Sequence, residues 1–360
     1  MARLDSFLRL VVEQRASDLH FHSGNKPIIR FNGDMVPLPF RQLSERETMR
    51  FLFEIMTPKQ RKEFEEKQDV DFVYSLPDLA RFRANVFTQS HGIGSVFRVI
   101  PNNIMTLDDL NLPRAIRKLC HLESGLVLVT GATGSGKTTT LAAMIDEVNT
   151  HTHRHVITIE DPIEFIHPQK NSMITQRQIG KHALSFADAL RSAMRETPDV
   201  VVVGELRDVE TITQALSAAE TGVLVLGTLH SNTAAKAVDR LLNVLPEESQ
   251  EQVRSVLSVV LRGVVSQNLC KRATGDGRVA AMEILVQTFA VSNMIREGKI
   301  HQIDAYMDTQ SKENPDIQTM DRCLLNLVRG GVIDAEEGVK FAKNPDKLRM
   351  KVSDLLLEEE

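Results

Sequence analysis

Residues Gly131-Ala132-Thr133-Gly134-Ser135-Gly136-Lys137-Thr138 spell a complete G-x-x-x-x-G-K-T phosphate-binding loop, and the flanking chain supplies what such a loop needs. The apolar run Gly125-Leu126-Val127-Leu128-Val129-Thr130 predicts the strand that leads into it. Leu141, Met144, Ile145 and Val148 give the following helix one apolar face at i, i+3, i+4 and i+7. Such a loop binds a nucleoside triphosphate. Its glycines let backbone N–H groups turn onto phosphate oxygens, and the helix N-terminus adds positive potential. Lys137 reaches the β- and γ-phosphates, and the Thr138 hydroxyl is a Mg²⁺ ligand.

At 360 residues the chain has room for two domains, each with its own core. No apolar run reaches the ~18 residues that span a bilayer. Arg3, Asp5, Arg9 and Glu13 rule out a signal peptide at the N-terminus, where Leu4, Phe7, Leu8 and Val11 predict an amphipathic helix. A cytoplasmic location follows as the expectation. Cys120, Cys270 and Cys323 are too far apart for a C-x-x-C metal site and are expected to be reduced and buried. A formal charge of −5, no Trp and only two Tyr leave little for a broad nucleic-acid surface. No direct nucleic-acid partner is expected.

Residues 1–100 read as a small α+β domain. Asp18-Leu19-His20-Phe21 and Pro27-Ile28-Ile29-Arg30-Phe31 are strand signals, Asn32-Gly33-Asp34 is a hairpin signal, and one charged helix is expected over 45–66. Three more strands are predicted at 69–74, 80–87 and 95–100. Residues 101–113, with two Pro and two consecutive Asn, read as a linker. From 114 to 360 the pattern is strand, helix, strand, helix, with apolar strand runs at 126–129, 156–159, 200–203 and 223–226. Runs apolar on both faces belong in a parallel sheet covered by helices. Beyond about 290 the signals are helical.

Hydrolysis needs Mg²⁺ ligands, a group that orients water and a stabiliser of the transferring charge. Val200-Val201-Val202-Val203-Gly204-Glu205 delivers Glu205 to the sheet edge where nucleotides sit, with Gly204 in the place usual for an Asp. Glu205 therefore serves Mg²⁺, directly or through water, or acts as the base. A second edge, Glu160-Asp161-Pro162-Ile163-Glu164, carries three carboxylates in five residues. A third, Leu226-Gly227-Thr228-Leu229-His230, ends in an imidazole placed to sense the γ-phosphate. His151, His153 and His155 alternate in a polar stretch without Cys or carboxylate at ligand spacing and read as solvated loop. In Ala80-Arg81-Phe82-Arg83-Ala84-Asn85-Val86, alternation puts Phe82, Ala84 and Val86 inward and Arg81 and Arg83 together on the other face. Arg98 is a third candidate cation. Arginines in a different domain can complete a nucleotide site across a boundary.

Together these blocks resemble the secretion-ATPase superfamily, most closely the PilT-type retraction motors of bacterial type IV pili. Residues 131–138 look like its Walker A, 157–165 its aspartate box, 200–208 its Walker B and 227–240 its histidine box. Ala16-Ser17-Asp18-Leu19-His20 resembles the opening of its PAS-like N-terminal domain, and Met294-Ile295-Arg296-Glu297-Gly298-Lys299 its C-terminal A-I-R-E motif. The resemblance implies a RecA-like P-loop core, preceded by the PAS-like α+β domain and followed by C-terminal helices. It implies ATP and Mg²⁺ as cofactors, with phosphates on Gly134, Ser135, Gly136, Lys137, Thr138 and the neighbouring Thr139. Glu164 would be the general base, Glu205 a Mg²⁺ partner beside Thr138, and His230 a sensor. Arg81, Arg83 and Arg98 would reach nucleotide at a subunit interface of a homo-hexamer. The implied partners are an inner-membrane pilus platform protein, where the motor would sit peripherally, and a paralogous pilus ATPase. The sequence departs from the family pattern at Met294, at Gln89-Ser90-His91, which lacks an Arg, and at Val223, where many relatives have His. The alternatives are a PilU-like auxiliary paralogue, another secretion-system ATPase, a ring nucleic-acid translocase, or a nucleotide-gated scaffold without turnover.

Overall fold

The computed structural model describes residues 2–31, 33–77, 79–100 and 103–358. The chain divides into two compact units, Met1–Asn103 and Ile104–Glu360. Asn32 of the expected hairpin signal, Pro101 and Asn102 of the expected linker, and the last two glutamates lie outside the described residues.

The first unit contains α1 (Asp5–Glu13), β1 (Asp18–His22), β2 (Ile28–Phe31), β3 (Asp34–Pro37), α2 (Glu45–Ile55), α3 (Pro58–Lys67), β4 (Asp69–Leu76), β5 (Ala80–Gln89) and β6 (Gly92–Ile100). Its strands form one antiparallel sheet in the order β3-β2-β1-β6-β5-β4. The inward alternation of β5 seats Phe82, Ala84 and Val86 in a core with Phe21, Phe97 and, from the amphipathic N-terminal segment, Leu4, Leu8 and Val11. The charged stretch after residue 45 is two helices, not the single helix its composition predicts. Thr57 caps α3 by accepting from the Gln60 N–H, and Pro58 takes the first helical position, where its missing N–H costs nothing. That is a start signal inside the run.

The second unit contains α4 (Arg114–Cys120), β7 (Gly125–Thr130), α5 (Lys137–His151), β8 (His155–Glu160), β9 (Met173–Gln178), α6 (Phe186–Ala193), β10 (Val200–Val203), α7 (Val209–Glu220), β11 (Leu224–Leu229), α8 (Ala234–Asn243), α9 (Glu247–Val260), β12 (Leu261–Lys271), β13 (Arg278–Val286), α10 (Phe289–Arg296), α11 (Ile303–Gln310), α12 (Met320–Arg329), α13 (Ala335–Phe341) and α14 (Pro345–Glu358). Seven strands run β13-β12-β7-β11-β10-β8-β9, all parallel except the β12–β13 hairpin. This is the P-loop α/β core expected, extended by three strands at the two edges. Alternate strand residues serve opposite faces: Val200 and Val202 pack with Met144, Ile145 and Val148 of α5, and Val201 and Val203 pack with Leu190, Ile212, Leu216 and Leu241 of α6, α7 and α8. Each such side chain, buried on one face or the other, contributes about 1.5–3 kcal/mol. From Ile104 onward the stretch read as linker belongs to this unit, for Leu107 is buried with Ile116, Leu119 and Val127. The C-terminal helices cover the β12–β13 hairpin, Leu324, Ile333 and Leu348 packing with Cys270, Val279 and Ala281. Among the described residues no helix is long and apolar enough to cross a membrane.

Register sets the site. Thr130 of β7 pairs with Leu229 of β11, Gly227 of β11 with Val203 of β10, and Val203 with Ile159 of β8. The carboxyl ends of these four parallel strands therefore emerge side by side, about 4.8 Å apart per strand. In order along that edge stand the phosphate loop, His230, Glu205 and the acidic turn.

Candidate active site

The phosphate loop leaves β7 at Gly131 and enters α5 through Gly136, which caps the helix at φ +88°. That left-handed backbone is open to glycine and strained for other residues. Ser135 is buried, and its Oγ has no hydrogen-bond partner among the described residues. Lys137 Nζ donates to the carbonyls of Gly131 and Ala132, both at 2.9 Å, which curls the ammonium over the loop. Burial lowers its pKa, and the charge of Glu205 pulls the other way. An unsatisfied hydroxyl, an ammonium and a helix N-terminus gathered on one glycine-rich turn fit a polyphosphate.

The end of β10 explains the missing Asp. A Cβ on Gly204 would lie 3.1 Å from the Ile159 carbonyl of β8, so an aspartate here would crowd the neighbouring strand. Glu205 Oε2 accepts from Arg207 Nη2 at 2.6 Å, and Oε1 lies 3.3 Å from His230 Nε2. Burial pushes the Glu205 carboxyl up. The Arg207 hydrogen bond and the charges of Arg207, His230 and Lys137 outweigh it, so the group is held below the ordinary carboxylate range. Arg240 of α8 donates to the His230 carbonyl at 2.7 Å and fixes the strand end. Thr228 Oγ1 donates to the Gly204 carbonyl, and the Leu206 N–H to the Thr228 carbonyl at 3.0 Å, tying the β10 and β11 exits together.

The acidic turn after β8 is held by Gln176 of β9. Its Nε2 donates to Glu160 Oε1 at 3.1 Å and to the Phe165 carbonyl at 2.8 Å, and its Oε1 accepts from the His167 N–H at 2.9 Å. Glu160 also accepts from Thr158 Oγ1 at 2.6 Å and from the backbone at Glu164. Burial pushes the Glu160 carboxyl up, in spite of these bonds. Glu160 is thus a fastener of the turn, and Glu164 stands further round it. Asp161 adds to the field that raises Arg207, after the Glu205 hydrogen bond, so Arg207 links the two acidic edges.

The same turn carries an acid-sensitive group. Burial pulls the His167 imidazole down to about 4. An unfolded histidine titrates near ~6.5, so below that pH the unfolded chain binds a proton that the folded chain refuses. Stability from this group is complete above ~6.5 and is lost as pH falls toward the folded value. Between about pH 7 and about pH 5 the loss is about 2 kcal/mol. Urea midpoints should fall over this interval, and should fall less in His167→Gln; equal falls would refute the assignment.

The three candidate arginines lie in the first unit. Arg81 and Arg83 share the outward face of β5, and Arg83 stands directly opposite Arg98 of β6. Arg98 Nε donates to the buried Asp18 at 2.9 Å. Arg83 is exposed and without a side-chain partner among the described residues. The alternating histidines go separate ways. His151 Nε2 lies 3.8 Å from Glu147, His153 Nδ1 is 3.2 Å from the Asn171 carbonyl, and His155, on β8 and not in a loop, meets the Glu196 carbonyl and Thr175 Oγ1, each at 3.0 Å.

Arg207 and Arg240 stand inside recognised blocks, yet nothing in their spacing assigns them a role. The β12 strand is absent from the sequence expectation, and there Ser266 Oγ meets Thr130 Oγ1 at 2.7 Å and the Gln267 side chain bonds to Ser135 and Thr140. The available signal was a polar pair inside the apolar run Val264-Val265-Ser266-Gln267.

Among the described residues no three His, Cys, Asp or Glu side chains converge as a metal site. A hard divalent ion here would rest on the exposed Thr138 hydroxyl, the ionised Glu205, phosphate oxygens and water, which is how Mg²⁺ is usually held.

Comparison with known proteins identifies the family. The model of the type II/IV secretion system protein family matches residues 2–324. The type IV pilus retraction ATPase PilT of Pseudomonas aeruginosa is 46% identical over 343 residues, 95% of this chain and 99% of that protein. The type IV pilus ATPase PilU of the same organism is 37% identical over 348 residues, 97% of this chain and 91% of its own. A crystal structure of the pilus retraction motor PilT with bound ADP superposes with a TM-score of 0.88 at 42% identity, covering 96% of this chain and 98% of that one. With a nucleotide-binding edge of this make-up and likeness along nearly its whole length, the chain belongs to the type II/IV secretion system protein family and is one of its ATPases.

Proposed function

We propose that the chain is the ATP-hydrolysing motor of type IV pilus retraction, working as a homo-hexamer. The observation that carries the chemistry is the single sheet edge that sets the phosphate loop, His230, Glu205 and the acidic turn in a row. Identity to PilT exceeds that to PilU, 46% against 37%, and supports the main motor over the auxiliary paralogue. Its proposed partners are the inner-membrane platform of the pilus, at whose cytoplasmic side it would be peripherally bound, and a paralogous pilus ATPase.

In this reading Gly134, Ser135, Gly136, Thr138 and Thr139 hold the phosphates with Lys137 over the γ-group. Thr138 and Glu205 would hold Mg²⁺, which when bound would supply neutralisation of the phosphate charge. Glu164 takes the proton of the attacking water. His230 reports the γ-phosphate to Glu205, with which it is already in contact. Arg81 and Arg83, with Arg98 anchored on Asp18, stabilise the transferring charge from a neighbouring subunit.

A shared site has a consequence that mixing experiments read. Arg83→Ala should cut turnover by about 10²-fold or more while ATP affinity stays within about threefold of wild type. Mixed with equal Glu164→Gln, the two inactive chains should regain activity, because about a quarter of interfaces combine an intact arginine with an intact base. A mixture no more active than its parts would refute sharing, as would a fully active monomer in light scattering.

A further inference from the structure

Gln267 is only 2% exposed, inside a β-sheet, where an amide is costly unless both its ends are bonded. One end is spent on the phosphate loop and the other on the helix it opens. Nε2 donates to the Ser135 carbonyl at 2.5 Å, and Oε1 accepts from Thr140 Oγ1, in the first turn of α5, at 2.8 Å. Register puts it there: β12 pairs with β7 as far as Ser266 opposite Thr130, so Gln267 comes level with the loop as the loop departs. The approach is close, since a Cβ on Gly136 would lie 3.0 Å from Gln267 Nε2.

A trans peptide is planar, and its C=O and N–H point in opposite directions. Drawing the Ser135 carbonyl toward β12 therefore aims the Gly136 N–H away from β12. We propose that Gln267 is a positioning residue for nucleotide binding, which fixes the Ser135–Gly136 peptide so that the Gly136 N–H is presented to a phosphate oxygen. The Thr140 bond holds the same amide against the helix that follows, so loop and helix keep one setting. This inference rests on the reading of residues 134–139 as the nucleotide site.

The test is equilibrium binding of fluorescently labelled ADP to the full-length protein. Gln267→Glu keeps the shape and the Thr140 bond, but its ionised form sets oxygen against the Ser135 carbonyl. At about pH 8 it should bind labelled ADP about tenfold more weakly than wild type, the scale of one buried hydrogen bond. At about pH 6 the protonated fraction of this desolvated carboxyl donates again, and affinity relative to wild type at the same pH should move back toward one. Gln267→Met, which cannot donate at any pH, should stay about tenfold weaker at both. If Gln267→Met fails to fold, the ratio between the two pH values in Gln267→Glu, read on one folded protein, decides. Wild-type affinity in Gln267→Glu at pH 8, or a loss that pH does not reverse, overturns the proposal. Wild-type protein that binds no labelled ADP overturns the nucleotide reading itself.

Discussion

Lys137→Ala is expected to reduce ATP turnover by at least about 10²- to 10³-fold while leaving the fold in place. In the proposed mechanism the loss follows from removing the ammonium that would act on the transferring phosphoryl group, where charge develops and no other residue of the loop carries charge. The small structural cost follows from where the side chain sits. Lys137 is half-exposed, and among the described residues its Nζ bonds to the Gly131 and Ala132 carbonyls, which water can satisfy once the ammonium is gone. The change in stability should stay within about 1–2 kcal/mol. Phosphate release and thermal unfolding, measured on the same preparation, check both halves. Normal turnover in a folded variant would remove the loop from the mechanism.

The second large effect separates the acidic edges. In the proposed division of roles Glu205 is the metal-side group: Arg207 bonds to one oxygen, His230 stands at the other, and the carboxyl is held below the usual carboxylate range, so it is ionised and aimed among cations. An ionised carboxylate suits a hard divalent ion, which supports the proposed metal-side role. Glu164 stands in the turn fastened by Gln176 and Glu160, at the far end of the same edge. Glu164→Gln should therefore lower turnover by about 10²-fold or more with Mg²⁺-ATP affinity near wild type. Glu205→Gln should slow turnover with a raised Mg²⁺ requirement. Titrating rate against Mg²⁺ in both variants decides it, and rescue of Glu164→Gln by excess metal would reverse the two roles.

The phosphate loop and the four edges were legible because buried parallel strands must be apolar on both faces, which leaves continuous runs such as Leu126-Val127-Leu128-Val129 ending in the residues that do chemistry. The β12 strand was not, because Ser266 and Gln267 interrupt its run, and they interrupt it because they face the loop. Polar residues that serve a site break the pattern that would reveal their strand. Gly204 reads as a defect in the sequence and becomes intelligible only beside the Ile159 carbonyl. The break at Thr57-Pro58 was readable, but the charged composition on both sides masked it. Arg207 and Arg240 stand in the right blocks, yet their partners, Glu205 and the His230 carbonyl, follow from the fold and not from spacing.

The central claim, a retraction motor, is tested most directly by deleting the gene and observing surface pili and twitching motility together. Pili should be present in excess and twitching lost, with restoration by the wild-type chain and none by Glu164→Gln. Unchanged twitching in the deletion strain, or loss of the pili themselves, would contradict it.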